Sequence, residues 1–334
     1  MTRLSLAAVV LGALGVVTAV VLWMLPAEEF VFVPNRAEPL AGRVEVEGAQ
    51  PAGSESVHYV DVFVRRMSLL ERVLPFTRPD GSTVVPEAQL LPAGTTEEER
   101  DEQNAADMQR SELVASAVAL ETLGYDVEAT PTGIIVTGVA GDAPAAGKIE
   151  QGDVIVAVDG TAVRTPDELR ARIARHTPGD DVELVVRRGG RRVELVVGTV
   201  PNPADPDRPI VGIQVDQEAD IELPIDVDID LGRVGGPSAG LPFALEVARK
   251  LGRDVTRGCR IAATGALALD GAVIPVGGLK QKTYGVRRSD VDVFVVPVGE
   301  NAAIARQYAD DVRIISVESF QQALRQLTTG AKKC

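Results

Sequence analysis

The stretch RVGGPSAGLPFALEVARKLG, residues 233–252, places Ser238 in a glycine- and proline-rich segment directly before an amphipathic run. Small residues and a proline at this point are typical of a helix start. Three roles fit a hydroxyl there: a nucleophile, part of a phosphate-binding loop, or a plain helix cap. The rest of the chain decides among them.

A nucleophilic serine needs a base, and the chain has only two histidines, His58 and His176. The first falls in an N-terminal strand pattern and the second ends a short helix pattern, so a Ser-His-Asp triad has little support. A lysine is the remaining option, provided that burial lowers its pKa by several units. The segment IPVGGLKQK offers Lys280 and Lys282 in an apolar setting.

The N-terminus predicts a membrane anchor. Residues 4–25 are an uncharged run of 22 residues, which as a helix would rise roughly 33 Å and cross a bilayer. This length favours an uncleaved anchor over a signal peptide. The charges flanking the run, Arg3 before it and Glu28 and Glu29 after it, predict a cytoplasmic N-terminus and an extracytoplasmic remainder. We therefore assign 1–26 to the cytoplasmic N-terminus and transmembrane helix and 27–56 to a juxtamembrane linker.

The composition limits the partners. The chain carries 34 Lys+Arg against 48 Asp+Glu, a formal net charge of −14, which argues against nucleic acid. The histidines and the two cysteines, Cys259 and Cys334, lack metal-ligand spacing, so we predict neither a metal nor another cofactor. The sequence leaves open whether the cysteines pair. It contains no G-x-x-x-x-G-K-[ST] motif, so an ATP-driven module is not predicted.

Three regions with different patterns of predicted strands and helices follow one another along the chain. Residues 57–66 alternate like a half-buried strand, and residues 95–124 predict one long helix that opens with a capping box at Thr95 or Thr96. Residues 125–200 read as short strands around one helix, which starts at Thr165-Pro166. After a proline-rich boundary, strands and helices alternate as in an α/β domain.

The segment GIIVTGVAGDAPAAGKIEQGDVIVAVDGTAVRTPDELRARI, residues 133–173, resembles a bacterial PDZ domain. The resemblance implies a domain over 126–205 that binds a peptide, such as a C-terminal tail, as an added β-strand. Mapped by position, it implies a loop, an edge strand and a facing helix that bind the peptide: Thr132, Gly133, Ile134, Ile135, Val136, Leu169 and Ile173. Leu169 and Ile173 fit equally well as the buried face of an amphipathic helix.

The segment GGPSAGL, followed by a TG step and then by GGLKQK, resembles the proteolytic domain of Lon proteases, the S16 Ser-Lys peptidases. The resemblance implies that Ser238 is the nucleophile, that Lys282 is the base and that Thr264 orients the lysine. Gly236 and Pro237 would support the serine turn. Many Lon sequences carry an acid directly before this motif, where the present chain has Gly235.

Over nearly its full length the chain resembles the bacterial membrane-anchored PDZ-Lon protease family of the YlbL type. This implies an α+β fold with an N-terminal transmembrane helix, a small β-rich PDZ domain and a Lon-type α/β proteolytic domain, ribosomal protein S5 domain 2-like, over 206–330. The segment MQRSELVASAVALETLG, residues 108–124, fits a helix of the same catalytic domain. We therefore predict that 57–125 is the N-terminal part of a discontinuous protease domain; a separate accessory region is the alternative.

The implied function is an ATP-independent, membrane-anchored serine endopeptidase that cleaves extracytoplasmic or membrane-proximal proteins. Its PDZ domain would bind substrate tails. The sequence is compatible with a homo-oligomer and leaves the oligomeric state open. Other interpretations are a phosphate-binding loop like that of GHMP-type kinases, which leaves GGLKQK unexplained, and a Lon-like domain without activity. A catalytically silent PDZ scaffold that binds protein C-termini at the membrane is the alternative from a different functional class.

Overall fold

The computed structural model describes residues 3–49, 55–91, 96–203, 205–232 and 234–329. They divide into two compact units. The first unit takes the described residues up to 112, residues 227–267 and those from 273 onward. The second unit takes residues 113–226 and 268–272.

The first part of the chain, to residue 122, alternates helices with short strands. The helices are α1 (Arg3–Met24), α2 (Leu69–Val73), α3 (Glu87–Leu90) and α4 (Glu97–Thr122), and the strands are β1 (Pro26–Pro34), β2 (Glu38–Pro39), β3 (Val44–Val46), β4 (Val57–Tyr59), β5 (Val62–Ser68) and β6 (Thr83–Pro86).

The middle of the chain is rich in strands. Its elements are β7 (Glu128–Val139), β8 (Val154–Val158), β9 (Thr161–Ala162), α5 (Pro166–Ile173), β10 (Asp181–Arg188), β11 (Arg191–Gly198), β12 (Val200–Asn202), β13 (Asp205–Ile210) and β14 (Ile213–Glu222).

The last part returns to alternating strands and helices. Its elements are β15 (Val227–Ile229), α6 (Gly240–Lys250), β16 (Ile261–Ala263), β17 (Ala266–Leu267), β18 (Val273–Ile274), α7 (Leu279–Arg287), β19 (Val293–Pro297), α8 (Glu300–Tyr308), β20 (Arg313–Val317) and α9 (Phe320–Thr329).

The apolar run at the N-terminus forms helix α1. Within the described part of the chain, no helix is both long enough and apolar enough to cross a membrane. The structure therefore does not support the prediction of a transmembrane helix over residues 4–25.

The segment predicted to be a linker, residues 27–56, instead contributes strands to the first unit. β1 pairs antiparallel with both β5 and β6, while β2 pairs with β4 and β3 with β15. The cause is the run EFVFVP inside β1, whose Phe30 and Val31 are buried at 1% and 0% exposure. Aromatic and β-branched residues favour a strand, and they outweigh the proline and acid content that suggested a linker.

The main sheet of the first unit has the order β2-β4-β16-β19-β20. β4, β16, β19 and β20 run parallel, so their carboxyl ends lie at one edge. The helices α7 and α8 share a core with β16 and β19 through buried residues such as Leu279, Phe294 and Ala302. This core fixes the position of α7 relative to the sheet edge.

The sheet of the second unit has the order β11-β10-β8-β7-β14, with β9 beside β8. Its core gathers apolar residues from β7, β8, β10 and α5, including Ile134, Ile155 and Leu184. The helix start predicted at Thr165-Pro166 is confirmed, because the Thr165 hydroxyl accepts from the Glu168 N–H. β14 also belongs to this unit, so the unit extends beyond the predicted boundary at residue 205.

The long helix predicted over residues 95–124 is confirmed as α4. The capping box is formed by Thr96: its hydroxyl accepts from the Glu99 N–H at 3.1 Å, while the Glu99 carboxylate accepts from the Thr96 N–H at 2.8 Å. Thr95, the other predicted cap, lies outside the described residues.

Candidate active site and peptide groove

Ser238 lies at the centre of a 3₁₀ turn, Pro237–Ala239, directly before α6. Helix α4 holds this turn through two residues spaced by seven. The Asn104 carbonyl accepts from the Gly236 N–H at 2.7 Å, and the Ser111 hydroxyl donates to the Pro237 carbonyl at 3.1 Å. Gly236 has a φ of 89°, which favours glycine. The turn is therefore fixed on both sides of the serine.

The close approach of α4 explains the missing acid before the motif. A Cβ on Gly235 would lie 2.8 Å from the Asn104 Cβ and 3.3 Å from its carbonyl atoms. Real Cβ atoms essentially never approach another carbon so closely, and the carbonyl atoms belong to a helix that cannot yield locally. The acid common in the Lon family has no room here.

The carbonyl of Ser238 is bound by the TG step. It accepts from the Gly265 N–H at 3.0 Å and from the Thr264 hydroxyl at 3.2 Å. Gly265 has a φ of 150°, and a Cβ there would lie 2.8 Å from Val273 Cγ1, so a larger residue would press against β18. The TG step thus ties the serine turn to the end of β16.

Lys282 is buried on α7, with 3% of its surface exposed. Its Nζ donates to the Thr264 Oγ1 at 2.9 Å, and that hydroxyl donates in turn to the Ser238 carbonyl. Burial lowers the pKa of Lys282 to about 7. The amine is therefore substantially neutral at neutral pH, as a general base must be. Thr264 links the lysine to the serine turn, which is the orienting position that the Lon resemblance implies.

Lys280 lies on another side of the same helix. Its Nζ is 3.5 Å from the Ser82 carbonyl oxygen and 5.7 Å from the centre of the Tyr308 ring. The side chains of Lys280 and Lys282 would point the same way only in a strand. Because GGLKQK begins a helix, they point to different sides. Among the sequence candidates, Lys282 is the lysine that meets Thr264.

The structure corrects the predicted peptide groove. The edge strand expected over Thr132, Gly133, Ile134, Ile135 and Val136 lies inside the sheet, because β7 pairs with β8 on one side and with β14 on the other. Among the strands that the structure describes, β14 is the last one on this side of the sheet. The prediction failed because β14 comes late in the sequence and pairs with β7 only through the fold.

The groove itself lies between α5 and β14. Leu169 and Ile173 line it from the helix, as predicted, and both also belong to the buried core. Its volume is about 400 Å³, and the wall opposite α5 is formed by residues 208–215. Gly212 turns the chain into β14 with a φ of 80°, and a Cβ there would overlap Ala143. The turn is thus set by glycine immediately before the groove strand.

The corrected groove gives a testable prediction. We expect a peptide with a free C-terminus, selected from an immobilised peptide library, to shift amide NMR resonances of Val211–Val215 and Leu169–Ile173 most, because these segments line the groove. The same peptide with an amidated C-terminus is the control and should bind more weakly. Largest shifts in β11, at the opposite edge of the sheet, would contradict the assignment.

The remaining polar candidates lie elsewhere. His176 Nε2 lies 2.7 Å from Asp159 Oδ2 within the second unit. His58 lies in β4, where burial lowers its pKa. Cys334, the possible disulfide partner of Cys259, lies outside the described residues.

Comparisons with known proteins confirm both domain resemblances. Residues 121–199 match the family model of the PDZ domain, and residues 213–330 match that of the Lon protease (S16) C-terminal proteolytic domain. The fold and these matches define a chain that joins a PDZ domain to a serine-peptidase domain of the Lon type. It is a PDZ-Lon protein.

Individual relatives cover only parts of the chain. Lon protease 2 of Bacillus subtilis (strain 168) is 30% identical over 140 residues, 41% of this chain and 24% of that protein. The Lon protease of Clostridium beijerinckii is 31% identical over 110 residues, 31% of this chain and 14% of that protein. The chain thus matches a quarter or less of the length of these relatives. The solved PDZ domain of the SdrC-like protein from Listeria innocua is 27% identical over 25% of this chain and 93% of its own, with a TM-score of 0.24.

Proposed function

We propose that the protein is a serine endopeptidase that acts through a Ser238/Lys282 dyad. The observation that carries this proposal is the contact between the buried Lys282 amine and the Thr264 hydroxyl, which itself binds the Ser238 main chain. Among the residues that the structure describes, none forms an ion pair in direct contact with Lys282, and burying such an amine is costly. A role as the base for Ser238 would explain why the lysine is buried at the serine turn.

The chain's own groups account for each proton. Neutral Lys282 takes the proton of the Ser238 hydroxyl while the serine oxygen attacks the peptide carbonyl. The first N–H groups of a helix lack intrahelical acceptors, and those of the serine turn would stabilise the oxyanion. The lysine ammonium then gives its proton to the departing amine. Water, activated by the same lysine, hydrolyses the acyl-enzyme.

The decisive experiment compares the purified full chain with Ser238→Ala on unfolded casein, without nucleotide. We expect the wild type to produce fragments and Ser238→Ala to produce none, because the alanine lacks the nucleophile. Fragmentation without ATP fits the absence of a Walker motif in the sequence. Equal fragmentation by both proteins would show that Ser238 is not the nucleophile.

The second unit would serve as the substrate-binding module. Its groove, lined by Leu169 and Ile173 opposite β14, supports binding of substrate tails as added strands. The scaffold alternative uses the same groove and no chemistry. Peptide binding by a wild-type protein that leaves casein intact would favour the scaffold.

We further propose that the PDZ module is an insertion in a discontinuous protease domain. The pairing of β4 with β16 and the grouping of residues before 113 with those after 227 support this. The insertion must then include β14, so the informative deletion removes 126–222 rather than 126–205. A folded, casein-cleaving product supports the proposal, and an insoluble product counts against it.

Membrane anchoring remains a proposal supported by the apolar sequence of residues 4–25 and its flanking charges. Carbonate extraction of cell membranes tests it. Release of the full chain into the soluble fraction would exclude a spanning anchor. The extracytoplasmic location of both domains depends on the same result and is tested by protease accessibility in intact cells.

A further inference from the structure

A carboxylate outside every sequence motif lies close to the buried lysine. Asp61 belongs to the short connection between β4 and β5, where it is partly buried. Its Oδ1 accepts a hydrogen bond from the Asn35 side-chain amide at 2.9 Å. This acid lies between two apolar residues, Val60 and Val62.

The face of α7 that carries Lys282 packs against this connection. Gly278, Lys282 and Gly285 are spaced by four and three residues, so they share one face. A Cβ on Gly278 would lie 2.8 Å from Val62 Cγ2, and one on Gly285 would lie 3.2 Å from Val60 Cγ2. The connection therefore crosses the helix from the level of Gly285 to that of Gly278. Its middle residue, Asp61, comes at the level of Lys282.

Asn35 fixes Asp61 to the same helix. A Cβ on Gly285 would overlap the Asn35 main-chain carbonyl oxygen, so Asn35 lies directly against α7. The neighbouring Ala37 N–H donates to the Ser289 hydroxyl at 2.9 Å, just beyond the helix. The residue that holds the carboxylate is thus itself held by the helix of the lysine.

The parallel sheet brings Asp61 and Thr264 to one edge. β4 and β16 are paired in register, with Tyr59 opposite Ala263. Thr264 follows Ala263 directly, and Asp61 follows Tyr59 by two residues, so both lie beyond the carboxyl ends of adjacent strands. The Lys282 amine, which donates to Thr264, lies at the same edge.

The electrostatics agree with this placement. Burial lowers the pKa of Lys282, and the negative charge of Asp61 acts in the opposite direction. Reciprocally, burial raises the pKa of the Asp61 carboxyl, while the Asn35 hydrogen bond and the Lys282 charge lower it. The negative charge of Asp61 and the positive charge of protonated Lys282 thus each favour the ionised form of the other group.

Other charges nearby have partners of their own. Glu38, a like charge for Asp61, accepts from the Arg43 guanidinium at 2.7 Å and from the Tyr59 hydroxyl at 3.1 Å. Of the other cations on α7, Lys280 lies over the Tyr308 ring and Arg287 pairs with Asp310. Asp61 is the charged group that acts on the Lys282 amine within the described part of the chain.

We propose that Asp61, held by Asn35, is a positioning residue whose negative charge stabilises the Lys282 ammonium formed when the lysine takes the Ser238 proton. The inference rests on the proposed Ser238/Lys282 peptidase. It gives the dyad a third member that acts through the lysine and contacts no substrate. The arrangement parallels the way a buried carboxylate stabilises an imidazolium in histidine-based sites.

The test is the pH profile of casein cleavage by the full chain. In the wild type, kcat/KM should rise through a limb near pH 7, because only neutral Lys282 accepts the serine proton. In Asp61→Asn the ammonium loses its counter-charge, so the limb should move to lower pH by roughly half a unit or more. The plateau rate should fall about ten-fold, because the weaker base stabilises less of the charge formed in the transition state.

Matched variants separate charge from structure. Asp61→Glu keeps the charge and should restore the limb toward that of the wild type. Asp142→Asn removes an exposed acid from the second unit and should leave the limb unchanged. Asn35→Ala frees Asp61 without removing it and should give a smaller shift in the same direction. Thermal unfolding shows whether Asp61→Asn is folded. If it is not, the pH profile of Asn35→Ala is compared with that of the wild type instead.

A readout without catalysis keeps the two proposals distinct. In the Ser238→Ala background, the Cε resonance of ¹³C-labelled Lys282 reports its titration midpoint. A lower midpoint in Asp61→Asn supports the inference even if the wild type cleaves nothing, which would refute the peptidase alone. An unchanged midpoint overturns the role of Asp61, whether or not the dyad is active.

Discussion

Replacing Lys282 by arginine should reduce casein cleavage by roughly 10²- to 10⁴-fold, the share that general-base catalysis usually contributes. An arginine guanidinium stays protonated at any pH that a protein tolerates, so it cannot accept the Ser238 proton. Lys282 is buried, so a permanent charge at its position is also costly. Initial rates of fragment release measure the effect.

Two further variants make the result specific to the base. Lys282→Met keeps a similar shape without a charge, so it should fold, as circular dichroism can verify, and should be equally inactive. Lys280→Arg changes the neighbouring lysine, which contacts Ser82 and Tyr308 away from the serine turn, and should retain activity. Cleavage by Lys282→Met at the wild-type rate would mean that another group takes the proton.

Gly285→Ala should destabilise the protein by about 3 kcal/mol or more. The added Cβ would overlap the Asn35 carbonyl oxygen, a main-chain atom that cannot rotate away. Relief requires that the β1–β2 connection separates from α7. The free energy of unfolding in urea measures the loss, and the midpoint should fall without a change in slope if the unfolded state is unaffected.

Gly277→Ala is the matched control for this prediction. Gly277 lies in the same GGLKQK motif, but a Cβ there meets nothing within 4 Å. Its unfolding free energy should stay within about 0.5 kcal/mol of the wild type. Equal stability of Gly285→Ala and Gly277→Ala would show that the segment around Asn35 does not press on the helix as the structure has it.

The site was partly predictable because its chemistry is concentrated in short motifs. GGPSAGL, the TG step and GGLKQK each fold locally, and the scarcity of histidine pointed to a lysine base. The structure brings Thr264 between Lys282 and the Ser238 main chain, where the resemblance places it. The pattern could not reveal Asn104 and Ser111, because their contacts with the serine turn span more than a hundred residues.

The PDZ groove shows a different limit. Matching residues by position identified the helix wall, since Leu169 and Ile173 recur one turn apart. It assigned the wrong strand, because alternation shows that a segment is extended but not which neighbour it pairs with. The partner of β7 lies beyond the proline-rich segment that had served as a domain boundary. Reliance on composition also led to the prediction of a linker over residues 27–56, where the structure has β1.

The central position of β4 in its sheet has a consequence for the order of events during synthesis. This strand is made early, yet of its neighbours β2 precedes and β16 follows the segment that matches the PDZ domain. Chains emerge from the ribosome N-terminus first. About two hundred further residues must therefore be synthesised after β4 before β16 exists and can pair with it. Lys282 emerges later still. A growing chain that already carries Ser238 therefore still lacks Lys282, so the proposed dyad would assemble only after the last part of the domain has been made.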